Sequence, residues 1–316
     1  MSSCRGCKWT ICHFCALARN EPELIHFLVM HHVLVDSWWC GSCDELCRAD
    51  FSNLTFRCDR RHVVRDSCGR RRRWRCRFYR SMFTGTWFER SRLSVSKVCS
   101  LAFFWLNLNY PRQFKLIKEV GVSSATVVEW SSFCREVCIF LVWQQSVVLG
   151  GPGIVVEIYE AKFGKQKYNR GRWLDGQRVF GGLEHGSKNC FLVCMPSCRS
   201  DVLLDVIKQW IRPGTTVVSD CWKAYDCLSS EGFVHESVNH SKNFVDPKLR
   251  AHTQKIERTW REVRGGFPRF GRKKPHMVGN LAEFMFKCKY SDYRDRAHAF
   301  FTAAGQLYSP APQQSR

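Results

Sequence analysis

The spacing of apolar residues changes several times along the chain, and each change predicts a different kind of element. Residues 21–35 place Leu24 and Leu28 at helical spacing, which predicts a short amphipathic helix. Residues 39–88 have weak periodicity and many cysteines instead. That pattern is typical of a small β module held together by a metal, because its apolar core is too poor to stand alone.

From Ser94 the apolar spacing becomes helical, and three helices are predicted in succession. Ser94 caps the first helix, and Gly121 ends the second. Ser123 or Ser124 caps the third. The second helix, the glycine turn and the third helix have the layout of a helix-turn-helix, in which Ser124 and Thr126 stand where DNA contacts are made. A three-helix bundle that only links the two halves of the chain would have the same caps and glycine break. That alternative is also consistent with the pattern.

The stretch Gly-Gly-Pro-Gly at residues 150–153 is the clearest break in the pattern and marks a predicted domain boundary. After it, the pattern predicts three consecutive antiparallel strands and then helix, strand, helix and strand, in the order βββαβαβ. Two helices follow, and a tail rich in Pro, Gln and Ser is expected to be disordered. The predicted elements lie at residues 154–163, 178–184, 190–195, 201–211, 215–219, 222–230, 234–238, 252–264 and 278–290.

The charge balance points to a polyanionic partner. Lys and Arg number 49 against 28 Asp and Glu, which gives a formal charge of +21. Such an excess favours nucleic acid, and an anionic membrane surface comes second. The run Arg71, Arg72 and Arg73 is therefore expected to lie along a DNA path, although such runs are often only solvated surface. The longest apolar runs fall well short of the roughly 20 residues that cross a bilayer, so we expect an unsecreted chain without a membrane segment.

The chain has 19 cysteines, most of them before Cys190. An odd number clustered in this way favours metal ligation in a reducing compartment over a secreted disulfide framework. For the pairs Cys4/Cys7 and Cys12/Cys15 we expect a disordered, reactive tail, with a metal clip as the alternative. The remaining thiols are expected to be small buried hydrophobes, namely Cys99, Cys134, Cys138 and those from Cys190 onward.

Two carboxylates stand where a metal-dependent site is built in mixed α/β folds. Asp220 ends the strand TTVVSD, where a rigid backbone projects the side chain from the sheet edge. Glu257 follows 37 positions later on a predicted helix. In a ribonuclease-H-like frame such carboxylates converge and hold two Mg²⁺ ions about 4 Å apart.

Four stretches of the second half carry a family resemblance: VEIYEAKFGKQKYNRGRWLDGQRVFGGLEHGS, PGTTVVSDCWKAY, VNHSKNFVDP and AHTQKIERTWREVR. They resemble the transposases of the Merlin superfamily of DNA transposons and the related bacterial insertion-sequence enzymes. Together with the N-terminal part, the resemblance covers about residues 21–290. It implies a DDE integrase domain that uses Mg²⁺ or Mn²⁺, with Asp220 as the second metal-binding carboxylate and Glu257 as the third.

The chain departs from the family at the first carboxylate. The family pattern on the first strand is Val-Glu-Ile-Asp-Glu, whereas this chain has Tyr159 in the place of the Asp. A phenol with a pKa near 10 is a poor ligand for Mg²⁺ at neutral pH. Glu157 shares the strand face of Tyr159 but lies about 7 Å along the strand. Substitution by Glu157 is the alternative to a loss of catalysis, and we expect the loss.

The resemblance also implies a zinc ribbon and further DNA contacts. Cys40, Cys43 and Cys76 match the family's zinc ligands, and Tyr79 stands at the position of the fourth. Either Cys47, Cys58 or Cys68 supplies the missing thiolate, or the ribbon has decayed and no longer holds zinc in an ordered site. Two basic residues are assigned to DNA, since both lie in stretches that match the family: Arg264, two helical turns beyond Glu257, and Lys242 in the NHSKN motif. His240 in that motif is as consistent with a structural hydrogen bond as with a site role.

The fold class is therefore α/β, with a ribonuclease-H-like (DDE integrase) mixed sheet flanked by helices behind a helix-turn-helix module and a zinc-ribbon-like module. The expected partners are transposon terminal inverted repeats, target DNA and a second copy of the chain, in the nucleus and away from membranes. The predicted segments are a Cys-rich tail (1–20), the zinc-ribbon-like module with its leading helix (21–93), the helix-turn-helix module (94–150), the ribonuclease-H-like transposase domain (151–300) and a disordered tail (301–316).

The leading hypothesis is a transposase by descent, impaired in strand cleavage and transfer, that still binds DNA. The alternative is a non-enzymatic, host-adopted DNA-binding protein, which has no use for a metal triad. A cysteine-rich zinc regulator unrelated to transposition would need four ordered metal ligands and no convergence of Asp220 with Glu257.

Overall fold

The computed structural model of the protein describes residues 3–65, 70–163, 176–187, 189–197, 199–220, 223–238, 254–267 and 276–309. For residues 223 and 254–257 it describes the backbone alone. The chain forms two compact units. The first contains residues 1–107, 116–131 and 292–316, and the second contains residues 108–115 and 132–291. Within the described ranges, no helix combines the length and apolar character needed to cross a membrane.

Helices and strands alternate in blocks along the chain. The helices are α1 (Ile11–Arg19), α2 (Glu21–Met30), α3 (Val95–Asn107), α4 (Gln113–Val120), α5 (Ser124–Gln144), α6 (Ser200–Trp210), α7 (Gln254–Gly265), α8 (Met277–Lys289) and α9 (Arg296–Leu307). The strands are β1 (Ser37–Cys40), β2 (Glu45–Asp50), β3 (Thr55–Cys58), β4 (Arg61–Arg65), β5 (Arg71–Arg75), β6 (Phe78–Ser81), β7 (Val155–Phe163), β8 (Gln177–Glu184), β9 (Cys190–Met195), β10 (Thr216–Asp220) and β11 (Val234–Val238).

Aromatic stacking holds the helices of the first unit together. Phe14 of α1 lies face to face with Phe103 of α3, with ring centroids 4.1 Å apart and planes 4° apart. Phe27 of α2 meets Phe301 of α9 edge to face at 5.4 Å. Such pairs contribute about 1 kcal/mol each beyond the burial of their area. Elements from both ends of the chain therefore share one core.

Two predictions of disorder are wrong for this reason. The segment 1–20, expected to be a reactive tail, contains α1, whose Phe14 and Leu17 are buried. The tail expected over residues 301–316 begins inside α9, where Phe300 and Phe301 are fully buried. Each helix is too short to be stable alone, and its order comes from packing against distant segments. Residues 310–316 lie outside the described residues.

The cysteine-rich segment is a β module, as the sequence predicts. Its four-stranded sheet has the order β1-β2-β3-β6 and is antiparallel throughout. The strands β4 and β5 form a separate antiparallel hairpin. The run Arg71–Arg73 lies on β5 of this hairpin, and every residue of β5 is exposed.

The three predicted helices after Ser94 are α3, α4 and α5. The Ser94 hydroxyl accepts a hydrogen bond from the Lys97 backbone N–H at 3.4 Å. The Ser123 hydroxyl accepts one from the Thr126 backbone N–H at 3.1 Å, so Ser123 caps α5. Gly121, at φ +66°, makes the turn between α4 and α5. Use of this segment as a helix-turn-helix remains a prediction.

The second unit is built on a five-stranded mixed sheet with the order β11-β10-β7-β8-β9. The strands β7, β8 and β9 are antiparallel neighbours, whereas β10 runs parallel to both β7 and β11. The predicted order βββαβαβ is present along the chain. Where the second helix of that order was expected, a 3-10 helix spans Lys223–Glu231.

Alternation along β7 divides the packing between the two faces of the sheet. Val156 and Ile158 belong to a core cluster with Leu203 of α6. Ala161 and Phe163 belong to a second cluster with Trp260 of α7. Because successive strand residues point to opposite faces, α6 and α7 cover opposite sides of the sheet.

A buried ionic cluster ties the chain before α4 to α8. Arg112 donates to Glu283 Oε1 at 2.5 Å and to Glu283 Oε2 at 2.9 Å, and both side chains are about 97% buried. Lys287 donates to Glu283 Oε1 at 2.9 Å. Burial raises the pKa of Glu283, but the charges and hydrogen bonds of Arg112 and Lys287 lower that pKa more strongly, to about 2.

We predict that Glu283→Gln destabilises the protein by about 3 kcal/mol, because it leaves the Arg112 charge buried without a carboxylate. Urea unfolding followed by circular dichroism measures the change. The matched control Glu129→Gln, on the exposed surface of α5, should change stability by less than about 0.5 kcal/mol. Equal effects of the two substitutions would contradict the role of the ionic cluster.

The same cluster predicts a pH dependence. The folded-state pKa of Glu283 lies below its ordinary value of 4.5, so its contribution to stability is present above pH 4.5 and is lost as the pH falls towards 2. The stability difference between wild type and Glu283→Gln should therefore shrink over that interval. A difference that stays constant from pH 6 to the acid limit of folding would be inconsistent with this assignment.

Candidate functional site

The candidate catalytic positions meet where β7 and β10 run side by side. The parallel register pairs Val217 with Val156 and Val218 with Glu157. Two residues further along each strand lie Asp220 and Tyr159, on the same face as Val218 and Glu157. Both residues lie two positions past the last pair of this register, so alternation directs Asp220 and Tyr159 to the same face of adjacent strands. The roles that the sequence analysis gives to Asp220 and to the position of Tyr159 remain predictions.

Tyr159 is half-buried and packs against the apolar cluster that contains Trp260 and Phe163. It lies directly opposite Gly181 of β8. A Cβ atom at Gly181 would stand 3.1 Å from the Trp260 ring and 2.6 Å from Leu192 Cδ2. Gly181 therefore allows α7 to pack closely against the sheet next to Tyr159. At this position the Tyr159 side chain presents a phenol instead of a carboxylate.

Glu157, the candidate substitute ligand, is fully buried and forms a close contact with His185 Nε2. Its neighbours in the sheet are Val218 on β10 and Leu183 on β8. It lies two residues before Tyr159, about 7 Å along the strand. The carboxylate of Glu157 is therefore engaged with an imidazole, two residues back along β7 from Tyr159. The sequence analysis did not single out His185, because only the strand pairing brings it to Glu157.

The helix α7 carries the third candidate carboxylate, Glu257. Its backbone lies in the first turn of α7, and its side chain lies outside the described residues. Trp260, three residues later, packs edge to face on Phe163 at 5.7 Å. The guanidinium of Arg264 lies 5.7 Å from the centroid of the same Phe163 ring and is otherwise exposed. Convergence of Glu257 with Asp220 remains a prediction.

The described side chains of this edge do not fit a pair of divalent cations. Such a site needs several carboxylate oxygens around both ions. Here Asp220 supplies a carboxylate, Tyr159 supplies a phenol, and Glu157 is held by His185. Lys242 and His240, expected near this edge, lie outside the described residues.

Four thiols converge in the β module. The Sγ atoms of Cys40, Cys43, Cys58 and Cys76 all lie within 4.8 Å of one another. The separation is 3.5 Å between Cys40 and Cys76 and 3.8 Å between Cys43 and Cys58. Four sulfurs around a tetrahedral Zn²⁺ with Zn–S bonds of 2.3 Å are about 3.8 Å apart. The cluster therefore fits zinc.

The structure identifies Cys58 as the fourth thiol. It ends β3, next to β6, and is buried. Tyr79, at the ligand position by family resemblance, is 62% exposed. Cys47 is not among the four, and Cys68 lies outside the described residues. The sequence left Cys58 open because it has no partner at CxxC spacing.

The surroundings of the cluster shift the pKa values of its thiols in opposite directions. Burial raises the pKa of Cys76, but the backbone N–H of Phe78 and the neighbouring thiols lower it overall, to about 7. Burial raises the pKa of Cys43. The imidazole Nε2 of His62 lies 2.9 Å from Cys43 Sγ, and the His62 ring stacks on Trp74 at 4.2 Å.

The hairpin of β4 and β5 concentrates positive charge on one face. Arg61 lies directly opposite Arg75, and Arg65 lies opposite Arg71. Arg73 shares this face by alternation, whereas His62 and Trp74 point to the other. Like charges directly opposite each other destabilise a β ladder. On this face, Arg75 forms an ion pair with Asp59 at 3.2 Å.

Two candidate DNA-contact residues, Ser124 and Thr126, lie in the first turn of α5. Ser124 is exposed, and the Thr126 hydroxyl is 2.9 Å from that of Ser123. Contact of Ser124 and Thr126 with DNA remains a prediction, as does that of Arg264.

Comparison with known proteins points to transposases. Residues 152–288 match the family model of the ISXO2-like transposase domain. A stretch of 56 residues is 32% identical to an "Uncharacterized transposase-like protein" of Haemophilus influenzae, covering 18% of this chain and 46% of that protein. The chain thus spans just under half the length of this curated relative. Both similarities support a transposase-derived function.

Two solved structures show a weaker similarity. They are the crystal structures of the Mos1 strand transfer complex and of a pre-cleavage Mos1 transpososome. Each is 12% identical to this chain, covers 62% of it and has a TM-score of 0.19. The similarity covers 77% of the first and 78% of the second. At this score the similarity supports no conclusion about fold or function.

The thiol geometry predicts that Cys58→Ser lowers the zinc content of the purified protein by one equivalent per chain. The matched control is Cys47→Ser, which changes a buried thiol of the same module outside the cluster. Elemental analysis by mass spectrometry measures both variants. Retention of zinc in Cys58→Ser, or its loss in Cys47→Ser, would show that the ligand set is different.

Proposed function

We propose that the protein is a transposase-derived DNA-binding protein of the DDE type whose strand cleavage is impaired because Tyr159 stands in the place of the first carboxylate. The observation that carries the proposal is that Tyr159 and Asp220 each lie two residues past the Val218–Glu157 pair, on the face that α7 covers. The match of residues 152–288 to a transposase domain supports it. Asp220 and Glu257 are the two retained carboxylates.

The order of the sheet supports a ribonuclease-H-like frame. Three antiparallel strands lead into two strands parallel to the first, and the first strand lies at the centre. In such a frame, carboxylates from the central strand, its parallel neighbour and a later helix hold two Mg²⁺ or Mn²⁺ ions, which activate the attacking oxygen and stabilise the leaving one. Here β7 and β10 supply the first two positions, and α7 supplies the third.

Charge and geometry in the β module support DNA binding that does not depend on catalysis. A zinc ion on the four thiols would link the ends of β1 and β3 to the start of β6. The hairpin then presents Arg71 and Arg73 from a fixed base. With a formal charge of +21, contacts to phosphate are the expected main source of affinity. A second copy of the chain that bridges two DNA ends is the assembly we propose by analogy with transposases.

The cleavage experiment compares wild type with Tyr159→Asp in Mn²⁺, on labelled duplexes that carry the inverted repeats of the element. We expect no nicking by wild type and measurable nicking by Tyr159→Asp, because the substitution restores the missing carboxylate. The nicking should disappear when Asp220→Asn is added.

The control Tyr159→Asn introduces a polar side chain of the same size as Asp but without its charge. This variant should not nick the DNA. Thermal melting followed by circular dichroism verifies that each variant folds. Nicking by wild type that is lost in Asp220→Asn would contradict the impairment. Failure of the folded Tyr159→Asp variant to nick would show that Tyr159 is not the cause.

The binding experiment measures the affinity for a 30-base-pair duplex by fluorescence anisotropy at several salt concentrations. The double variant Arg71→Ala, Arg73→Ala should reduce the slope of log K against log salt by about 2. The matched control is Arg199→Ala, Lys208→Ala, which removes two charges already paired with Asp201 and Glu231.

Equal slopes for the hairpin and control variants would contradict a DNA contact at β5. If wild type binds DNA but Tyr159→Asp never cuts, the non-enzymatic, host-adopted DNA-binding protein becomes the better account. The parallel placement of Asp220 beside Tyr159 favours the transposase-derived reading over that alternative.

A further inference from the structure

Four side chains of the first unit meet in a cluster that the proposed function does not use. Cys4 and Cys7 lie in the segment before α1, His31 caps the C-terminus of α2, and His298 lies in the first turn of α9. One ligand atom from each lies within 4.8 Å of those from the other three. His31 is buried, and the other three side chains are half-buried.

The distances match a tetrahedral metal site. Cys7 Sγ lies 3.4 Å from His31 Nε2 and 3.7 Å from His298 Nδ1. The two imidazole nitrogens are 3.1 Å apart. Around a tetrahedral Zn²⁺ with Zn–S bonds of 2.3 Å and Zn–N bonds of 2.0–2.1 Å, the S···N separation is about 3.6 Å and the N···N separation about 3.3 Å. The ligand atoms of Cys7, His31 and His298 therefore already have the spacing of three corners of the required tetrahedron, and Cys4 Sγ lies within 4.8 Å of all three.

A hydrogen bond outside the cluster orients His31 as a ligand. Its Nδ1 lies 2.7 Å from the Phe27 carbonyl oxygen, which can only accept. Nδ1 therefore carries the proton, and the lone pair of Nε2 is directed at the cluster. A histidine that ligates a metal characteristically donates its other ring N–H to a carbonyl or carboxylate in this way.

The loop that carries the two cysteines is held in place by contacts that do not involve the cysteine thiols. The Cys4 backbone N–H donates to the Met30 carbonyl at 3.1 Å, and the Trp9 backbone N–H donates to the Arg294 carbonyl at 2.9 Å. Gly6 has φ +134°, a conformation that L residues rarely adopt, and it allows the turn between the two thiols. The loop is therefore fixed against both the end of α2 and the turn just before α9.

The indole of Trp9 supplies a further feature of a thiolate site. Its Nε1–H donates to Cys7 Sγ at 3.0 Å. A hydrogen bond to a sulfur that becomes anionic is stronger than one to a neutral thiol. The indole therefore favours the form of Cys7 that binds a metal.

We propose that Cys4, Cys7, His31 and His298 bind one Zn²⁺ ion, in a Cys₂His₂ site separate from the four-thiol cluster. Both thiols release a proton on binding, and the ion is held by two thiolates and two neutral imidazoles. Mixed thiolate and imidazole ligands in a tetrahedron select zinc over iron–sulfur clusters, which take thiolates, and over Mg²⁺ or Ca²⁺, which take oxygen ligands. The ion links the segment before α1 to α2 and α9.

The test is the zinc content of the purified full chain, measured by mass spectrometry, for Cys7→Ser and for His298→Gln. Each variant should hold one equivalent less than wild type. The matched controls are Cys12→Ser and His13→Gln, which change an exposed cysteine and an exposed histidine of α1 outside the cluster. The controls should hold as much zinc as wild type. Unchanged zinc content in His298→Gln would overturn the proposal.

A second measurement does not depend on how the Cys7 and His298 variants fold. X-ray absorption at the zinc edge should give sulfur and nitrogen neighbours for wild type in a ratio of about 3 to 1, the average of a Cys₄ and a Cys₂His₂ site. In the variant Cys43→Ser, Cys58→Ser the remaining zinc should have two sulfur and two nitrogen neighbours. An all-sulfur environment in wild type would overturn the proposal while leaving the proposed DNA-binding function untouched.

Discussion

The parallel hydrogen-bonded pairing of β7 with β10 is the contact on which the candidate catalytic site depends. These strands are far apart in sequence, and their register alone decides which side chains share a face. Because Val218 pairs with Glu157, Asp220 and Tyr159, each two residues further along its strand, point to the same face, and Glu157 lies two residues before Tyr159. A register shift of one residue would point Asp220 and Tyr159 to opposite faces. The α7 helix closes this face through Trp260, which Gly181 allows to approach.

Much of the second unit could be predicted from the chain, because its strands and helices carry strong apolar periods separated by Gly and Pro. The order βββαβαβ and the place of Asp220 at a strand end follow from that pattern. The contact of Glu157 with His185 could not be predicted, since it depends on the register of β7 with β8. The 3-10 form of Lys223–Glu231 also lay beyond the pattern, because both helix types share similar apolar spacing.

The first unit shows more clearly what cannot be predicted from the sequence. Residues 1–20 and 301–307 have short helices whose order comes from mutual packing, as in the stacking of Phe14 on Phe103. No local pattern reveals such partners. The same holds for metal ligands: His31 and His298 are 267 positions apart, and Cys58 has no CxxC partner. The side chain of Glu257 and all of Lys242 lie outside the described residues, so their predicted roles stay predictions.

The central claim is that Tyr159 deprives the sheet edge of a cation site that Asp220 alone does not supply. Its most direct test is the affinity for Mn²⁺, measured by electron paramagnetic resonance on wild type, Asp220→Asn and Tyr159→Asp. The account predicts equal affinities for wild type and Asp220→Asn, and an affinity at least about tenfold higher for Tyr159→Asp, because a second carboxylate adds ligands and charge. Tight binding by wild type that Asp220→Asn abolishes would contradict it.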